Sequence, residues 1–285
     1  PRRPNWASGF ESEWHPGEAG AKERLISFLD DGLEGYAEGR DRPGQSFTSR
    51  LSAHLHWGEI SPYQVWQATR QAVEASGGVL DRDGEKFLKE VLWREFSYHL
   101  IHHNPDFPTT PFRREFAGFP WARDDAALKR WQRGETGYPI VDAGMRELWA
   151  TGIMHNRVRM IVASFLIKHL LLTWQEGERW FWDTLVDADI GANSASWQWV
   201  AGCGADAAPY FRIFNPILQG MKFDPEGTYV RRWVPELKDV PTDVIHKPWE
   251  MMPPPKGYPS PMVDHDKARA RALAALATLK KETAP

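Results

Sequence analysis

An all-α fold is the architecture this chain predicts, and three observations predict it. Apolar residues recur at helical spacing, alternation of period two is almost absent, and capping residues and prolines punctuate the stretches between. Residues 1–20 are rich in proline, glycine and charge and read as a linker or arm. Helical spacing then sets in, with Leu25, Phe28 and Leu29 on one face of a segment from about 20 to 38. Ser61-Pro62 pairs a capping serine with a proline in the first turn, and Tyr63, Val65, Trp66 and Ala68 continue inside that helix. Phe87, Leu88, Val91, Leu92 and Phe96 make another stripe from about 83 to 102, stopped near Asn104-Pro105. Prolines and aromatic residues make 105–122 irregular. Further helices fall at about 124–133, 139–151, 154–173 and 176–186. Residues 241–262 are proline-rich and extended, and 264–281 return to a helix of alanine, leucine and lysine. The expectation is a linker over 1–20 followed by one helical unit over 21–285.

Composition bounds the function. With 285 residues, 42% of them hydrophobic, the chain can bury a sizeable core as one large domain or two small ones, and no break in composition demands two. Cys203 is the sole cysteine, which excludes an internal disulfide and fits a reducing compartment; a buried small hydrophobe is the favoured reading, a reactive thiol the other. No apolar run reaches bilayer length and the start, PRRPNWASGF, lacks the apolar core of a signal peptide, so a soluble, intracellular, cytoplasmic protein is expected. A first residue of proline fits a fragment, a processed chain or removal of an initiator methionine. A net charge of -3 does not announce a nucleic-acid binder. Phosphate binding needs only a local basic face, however, and Arg157, Arg159, Arg212, Arg231 and Arg232 lie near aromatic motifs. Solvated or salt-bridged arginine is the competing reading, preferred for Arg231 and Arg232. Paired CxxC, HExxH and Walker-type GxxxxGK[ST] motifs are absent, and the adjacent His102 and His103 diverge on a helix, so neither a metal site nor a P-loop is expected.

Residues 187–224, DADIGANSASWQWVAGCGADAAPYFRIFNPILQGMKFD, concentrate acids, an amide, a Trp-Gln-Trp run and Arg-Ile-Phe-Asn-Pro. Trp197 and Trp199, with one residue between them, point in different directions on a helix or tight turn and can serve different partners. Filling a core is the usual fate of a tryptophan, but Asp187, Asp189 and Asn193 beside these two favour a site for a large planar ligand. TSRLS at 48–52, after Gly44 and Gln45, packs hydroxyls and a guanidinium that can hold a diphosphate; a helix cap followed by an ordinary helix explains the same run.

Taken in order, TSRLS, WREF at 93–96, TGYPIVDAGMREL at 136–148, MHNRVRM at 154–160, EGERWFWDTLVDADIGAN at 176–193 and the 187–224 stretch span nearly the whole chain. They resemble the C-terminal, flavin-binding helical domain of the photolyase and cryptochrome family. The resemblance implies a multi-helix FAD-binding domain, with the N-terminal α/β antenna domain absent from this chain and no antenna pigment expected on it. It also implies Tyr36, Thr48, Ser49, Arg50, Leu51 and Ser52 on the FAD pyrophosphate, and Phe87 near the flavin where some relatives have tryptophan. Arg159 and Asp187 match a pair against the isoalloxazine ring, with Ala188 and Asp189 in the stretch that contacts flavin and ribose. Asn193 matches the position facing flavin N5, where an amide, unable to deliver a proton, favours an anionic reduced ring as the active form. Plant cryptochromes generally carry aspartate there.

The activity implied is light-driven repair of DNA, a carbon–carbon lyase reaction. Excited anionic FADH⁻ gives an electron to a flipped-out cyclobutane pyrimidine dimer, the ring opens and the electron returns. Trp93 and Trp199 match the aromatic walls of the lesion pocket, Glu90 and Asn156 its hydrogen-bonding groups, and Met160 its apolar contact. Relatives acting on (6-4) photoproducts generally carry two histidines where this chain has Asn156 and Met160. Arg40, Arg157, Arg212 and Gln219 match positions on or beside DNA phosphates, and Arg94 of WREF joins that DNA-binding set. Trp197, Trp174 and Trp121 match an electron-transfer triad leading to the surface. Ser194, Ala195 and Ser196 replace a more amide- and glycine-rich turn. A cryptochrome-like photoreceptor with a signalling output is the alternative; it shares flavin and the triad but has no reason to keep Glu90, Trp93, Asn156, Met160 and Trp199 together. The partner implied is UV-damaged DNA, with a monomer expected, no membrane, and an antenna domain as a possible missing piece.

Overall fold

The computed structural model describes residues 7–206 and 211–282, so the first six residues of the expected arm lie outside the described residues. Those residues are all-helical, with no strand among them. The first expected helix is divided. α1 (Glu18–Asp31) stops at Gly32 and α2 (Tyr36–Gly39) restarts after Gly35, whose φ of 78° suits glycine. Asp83, from a later helix, accepts from the backbone N–H of Gly35 at 2.9 Å and of Ala37 at 2.7 Å, so a long-range carboxylate caps α2. The break turns Tyr36 inward.

TSRLS runs into the short α3 (Ser52–His56). α4 (Pro62–Ala75) begins with the expected serine, now part of a full capping box: Ser61 Oγ accepts from Gln64 N–H and Gln64 Oε1 accepts from Ser61 N–H. α5 (Asp81–His103) is the long helix of the apolar stripe, stopped at Asn104. α6 (Asp125–Gln132) and α7 (Pro139–Thr151) follow the periodicity.

The segment expected as one helix from 154 to 173 is shorter. α8 (Asn156–Ser164) passes into a π-helical turn, Phe165–His169, and the chain leaves it at Leu171 with φ 55°. That turn carries Lys168 into the core, where its Nζ donates to the Ala201 carbonyl at 2.7 Å and burial takes its pKa well below the usual lysine value. α9 (Trp174–Thr184) comes next.

α10 (Ile190–Ala201) had no periodicity to mark it. Gly191, Asn193, Ser194, Trp197, Gln198, Val200 and Ala201 are all buried, so the helix is covered on nearly every side and lacks a polar face. Ser194, Ala195 and Ser196 therefore lie in a helix, where a turn was expected. α11 (Pro216–Phe223) starts at Asn215, whose Oδ1 accepts from Ile217 and Leu218 N–H. α12 (Thr228–Trp233) is capped from Asp224, which accepts from Tyr229 and Val230 N–H at 3.0 Å each. Residues 241–262 fold through successive turns and the 3-10 turn Pro248–Glu250 before α13 (His265–Glu282).

The larger core joins α6 to α10 with α12 and α13, and a smaller one joins α1 to α5. α10 packs on both α5 and α9, which joins the smaller core to the larger. Contact with α9 is made at Gly177, where a Cβ would stand 2.0 Å from Trp197 Cη2 and 2.7 Å from Leu166 Cδ2. Gly177→Ala is therefore expected to lose about 1–3 kcal/mol by forcing the indole aside. A urea titration measures it, and an unchanged midpoint would contradict this packing.

Candidate functional site

The polar groups of the site hang on α10 and on the residues just before it. Asp189 is the N-cap: one carboxylate oxygen accepts from Ala192 N–H at 2.9 Å, the other takes a short hydrogen bond from the Tyr98 hydroxyl, and His56 Nδ1 lies 3.6 Å from it. α5 packs against the start of α10 here, with Gly191 facing Ser97. Burial and the Asp189 bond push the Tyr98 phenol up to about 12. Two residues upstream, Asp187 accepts from Arg159 Nη2 at 2.8 and 3.1 Å, while Arg159 Nε donates to the Met154 carbonyl at 2.7 Å. The Asp187 side chain is 3% exposed and that of Arg159 25%, so the pair lies at the edge of the interior.

Ala188 is buried between the two acids. Asn193, one turn into α10, donates its amide N–H to the Glu178 carbonyl at 3.0 Å, which leaves the amide oxygen to accept from another group. Glu178 was not singled out in the sequence. Its carboxylate accepts a short hydrogen bond from Ser194, which is fully buried, and burial pushes the Glu178 carboxyl up to about 7. Neither residue type carries a signal in EGERWFW or GANSAS, since both become polar neighbours only when α9 and α10 pack.

The TSRLS segment has Thr48, Ser49 and Arg50 half-buried, Leu51 buried and Ser52 exposed at the first position of α3. Arg50 holds φ 52°, its guanidinium donating to Glu13 at 3.0 Å and lying over Trp14 at 5.2 Å. Ser49 Oγ accepts weakly from Leu51 N–H at 3.4 Å, and no side chain caps α3. Tyr36 packs edge-on against Phe28 and Phe87 with ring centroids 5.6 and 5.4 Å away, and burial pushes its phenol up to about 12. Phe87 is 4% exposed and belongs to the smaller core.

Two further polar groups lie at the start of α8. His155 accepts from Arg157 N–H through Nδ1, and burial brings it down to about 4, so it is neutral with its proton on Nε2. That Nε2 and Arg157 Nε are buried without a hydrogen-bond partner. These two orphaned donors at the start of α8, and separately the uncapped start of α3, are polar groups left open to a further partner.

The residues expected at a lesion lie on α5, α8 and α10. Trp93 stands on α5 with 49% of its surface exposed, edge-on to Phe96 at 5.5 Å, and Trp199 is half-buried on α10. No ring contact links these two among the described residues. Glu90, one turn before Trp93, forms a short ion pair with Arg40 and a longer one with Lys86 at 3.4 Å. Asn156 is the exposed first residue of α8, and Met160, one turn on, has its sulfur 3.8 Å from Arg157 Nη1. Arg157 donates to Asp41 at 2.7 Å and covers the Phe223 ring at 4.5 Å. Arg40 and Arg157 thus already hold carboxylates, and any phosphate would share them. Arg94 pairs with Glu95 at 2.9 Å and lies 5.0 Å over Tyr98; Arg212 is exposed and Gln219 half-buried on α11.

Trp197 and Trp174 are each 2% exposed and Trp121 is half-buried. Trp174 opens α9 one turn before Gly177, the residue under Trp197, and Trp121 lines a cavity of about 660 Å³ together with Leu172, Thr173 and Gln175 on either side of Trp174. The rings nearest Trp197 include Phe181 at 5.0 Å and Trp131 at 6.3 Å.

Residues 87–278 match a family model described as the FAD binding domain of DNA photolyase. A deoxyribodipyrimidine photo-lyase of Agrobacterium fabrum is 56% identical over 99% of this chain and 60% of its own length. Among solved structures, a bacterial class III photolyase from Agrobacterium tumefaciens superposes with a TM-score of 0.94 at 56% identity, covering 99% of this chain and 60% of that one. A cryptochrome from Synechocystis superposes at 0.86 with 35% identity, over 92% of this chain and 56% of its own. The chain therefore spans about 60% of the length of the first of these relatives.

Proposed function

The chain belongs to the family of proteins with the FAD binding domain of DNA photolyase, and from that premise we propose that it binds FAD and serves light-driven splitting of cyclobutane pyrimidine dimers in DNA. The observation that carries the proposal is α10, which holds Asp189 at its start, Asn193 in its first turn and Trp197 and Trp199 in its last. FAD, held as the reduced anion, supplies the light-activated electron. Arg159 places a positive charge where a reduced ring gains negative charge, and Asp187 fixes that guanidinium through two hydrogen bonds. Asp189, held by Tyr98, keeps an acceptor beside Ala188 for ring or ribose donors. Tyr36 and residues 48–52 would hold the pyrophosphate, with the start of α3 as donor.

Lesion recognition falls to residues of α5, α8 and α10. Trp93 and Trp199 stack on the flipped bases, Glu90 and Asn156 bond to their polar edges, and Met160 excludes water. Arg40, Arg94, Arg157, Arg212 and Gln219 meet the backbone. Asn156 and Met160, neither of which can act as an acid, favour the cyclobutane lesion over the (6-4) product. Thymine absorbance should recover when the reduced protein is illuminated with a thymine-dimer oligonucleotide; bound, reduced flavin without recovery would defeat the proposal and leave a photoreceptor as the better reading. Trp174→Phe is expected to slow photoreduction of the oxidised protein at least several-fold while repair by pre-reduced protein stays unchanged. Equal loss of both activities would exclude Trp197, Trp174 and Trp121 as a wire. No helix of the described residues is long and apolar enough to cross a membrane, and the proposal has the protein working as a monomer in the cytoplasm, on DNA.

A further inference from the structure

We propose that Glu178, bridged by the Ser194 hydroxyl and joined through its own carbonyl to Asn193, is a positioning residue whose protonation sets the reduction potential of the bound flavin. The proposal rests on the FAD reading above. Its geometry is a closed link between two helices: Ser194 donates to the Glu178 carboxylate, and Asn193, the next residue of α10, donates to the Glu178 carbonyl at 3.0 Å. A proton gained or lost on this carboxyl therefore changes charge beside the amide expected to face the flavin.

Little else near Glu178 can mask that charge. α10, which packs on α9, carries no charged residue from Ile190 to Ala201. On α9 itself Arg179 opposes the rise but is exposed and paired with Glu176 at 3.1 Å. The π-helical turn, also packed on α9, contributes Lys168 and His169, which are engaged by the Ala201 carbonyl and by His265. Burial pushes the Glu178 carboxyl up to about 7, against the pull of Ser194 and Arg179, so its protonation changes near neutral pH. Linkage makes the coupling reciprocal: negative charge gained by the ring raises the affinity of Glu178 for a proton, and a protonated Glu178 favours reduction.

The test is the midpoint potential of FAD bound to the full chain, measured between pH 5.5 and 8.5. A coupling of about one pKa unit makes the reduction equilibrium about tenfold more favourable below the titration than above it, an offset of ~30 mV for a two-electron couple. Native protein should show an extra inflection near neutral pH. Glu178→Gln should erase it and hold the potential on the low-pH branch, whereas Ser194→Ala, which removes a stabilising donor, should move it to higher pH. Superimposable profiles for native and Glu178→Gln protein, each with FAD bound, would overturn the proposal. Failure of both to bind FAD would instead overturn the cofactor reading.

A second measurement needs no flavin. A carboxyl raised in the folded state from the ordinary 4.5 to about 7 contributes stability that is present at low pH and lost as pH rises through that interval. The urea midpoint of Glu178→Gln relative to native protein should therefore climb between these values. A constant difference would show that Glu178 does not titrate there and would also sink the proposal.

Discussion

Asp187→Ala is expected to release FAD and to destabilise the protein by about 3 kcal/mol. Removing one partner of a buried ion pair costs ~3–5 kcal/mol because the other charge is left uncompensated. Arg159 keeps 25% of its side-chain surface in water, which places the expected loss at the low end of that range. Its Nε bond to the Met154 carbonyl survives, but the two hydrogen bonds that fix the guanidinium end are lost, so the charge is no longer held in position for the ring. Flavin absorbance after gel filtration reports retention, and a urea titration of the stripped protein reports stability. Full FAD occupancy in the variant would remove Asp187 from the flavin site. Arg159→Met with Asp187→Leu, which replaces the pair by apolar groups, should recover stability without recovering FAD, separating the fold from the ligand.

Trp93→Ala should weaken binding of a thymine-dimer duplex by about 5- to 150-fold, the equivalent of ~1–3 kcal/mol for one base stacked on an aromatic face. Stability should change little, because Trp93 is 49% exposed, its ring edge-on to Phe96. Trp199→Ala gives a different pattern. That indole is half-buried against the larger core, so its truncation should lower stability as well as lesion affinity. Titration of labelled lesion and undamaged duplexes at fixed salt distinguishes stacking from backbone attraction. Equal losses on both duplexes would take Trp93 out of the lesion pocket.

Much of this architecture was legible before any coordinates. α4, α5 and α6 follow the spacing of an apolar face, since each has one side toward a core and one toward water, and α4 adds its Ser61-Pro62 cap. α10 does not, because it is buried on both sides and its sequence has no second face to contrast with the first. The division between α1 and α2 was hidden for another reason: Asp83, far along the chain, satisfies the donors at the break. Sequence motifs also named individual side chains better than their partners. Arg159 and Asp187 were expected as a pair and form one, whereas the holds of Tyr98 on Asp189, of Ser194 on Glu178 and of Arg40 on Glu90 come from helix packing and have no local signature.

α10 carries Asn193, Trp197 and Trp199 on one rod packed against both α5 and α9, so the three roles proposed for them would share a single mechanical support. A sideways slip of that rod would detune colour, charge supply and substrate fit in one movement. Attempts to widen the range of lesions accepted should accordingly vary Glu90, Trp93, Asn156 and Met160, which stand on other helices, and leave the shared rod untouched.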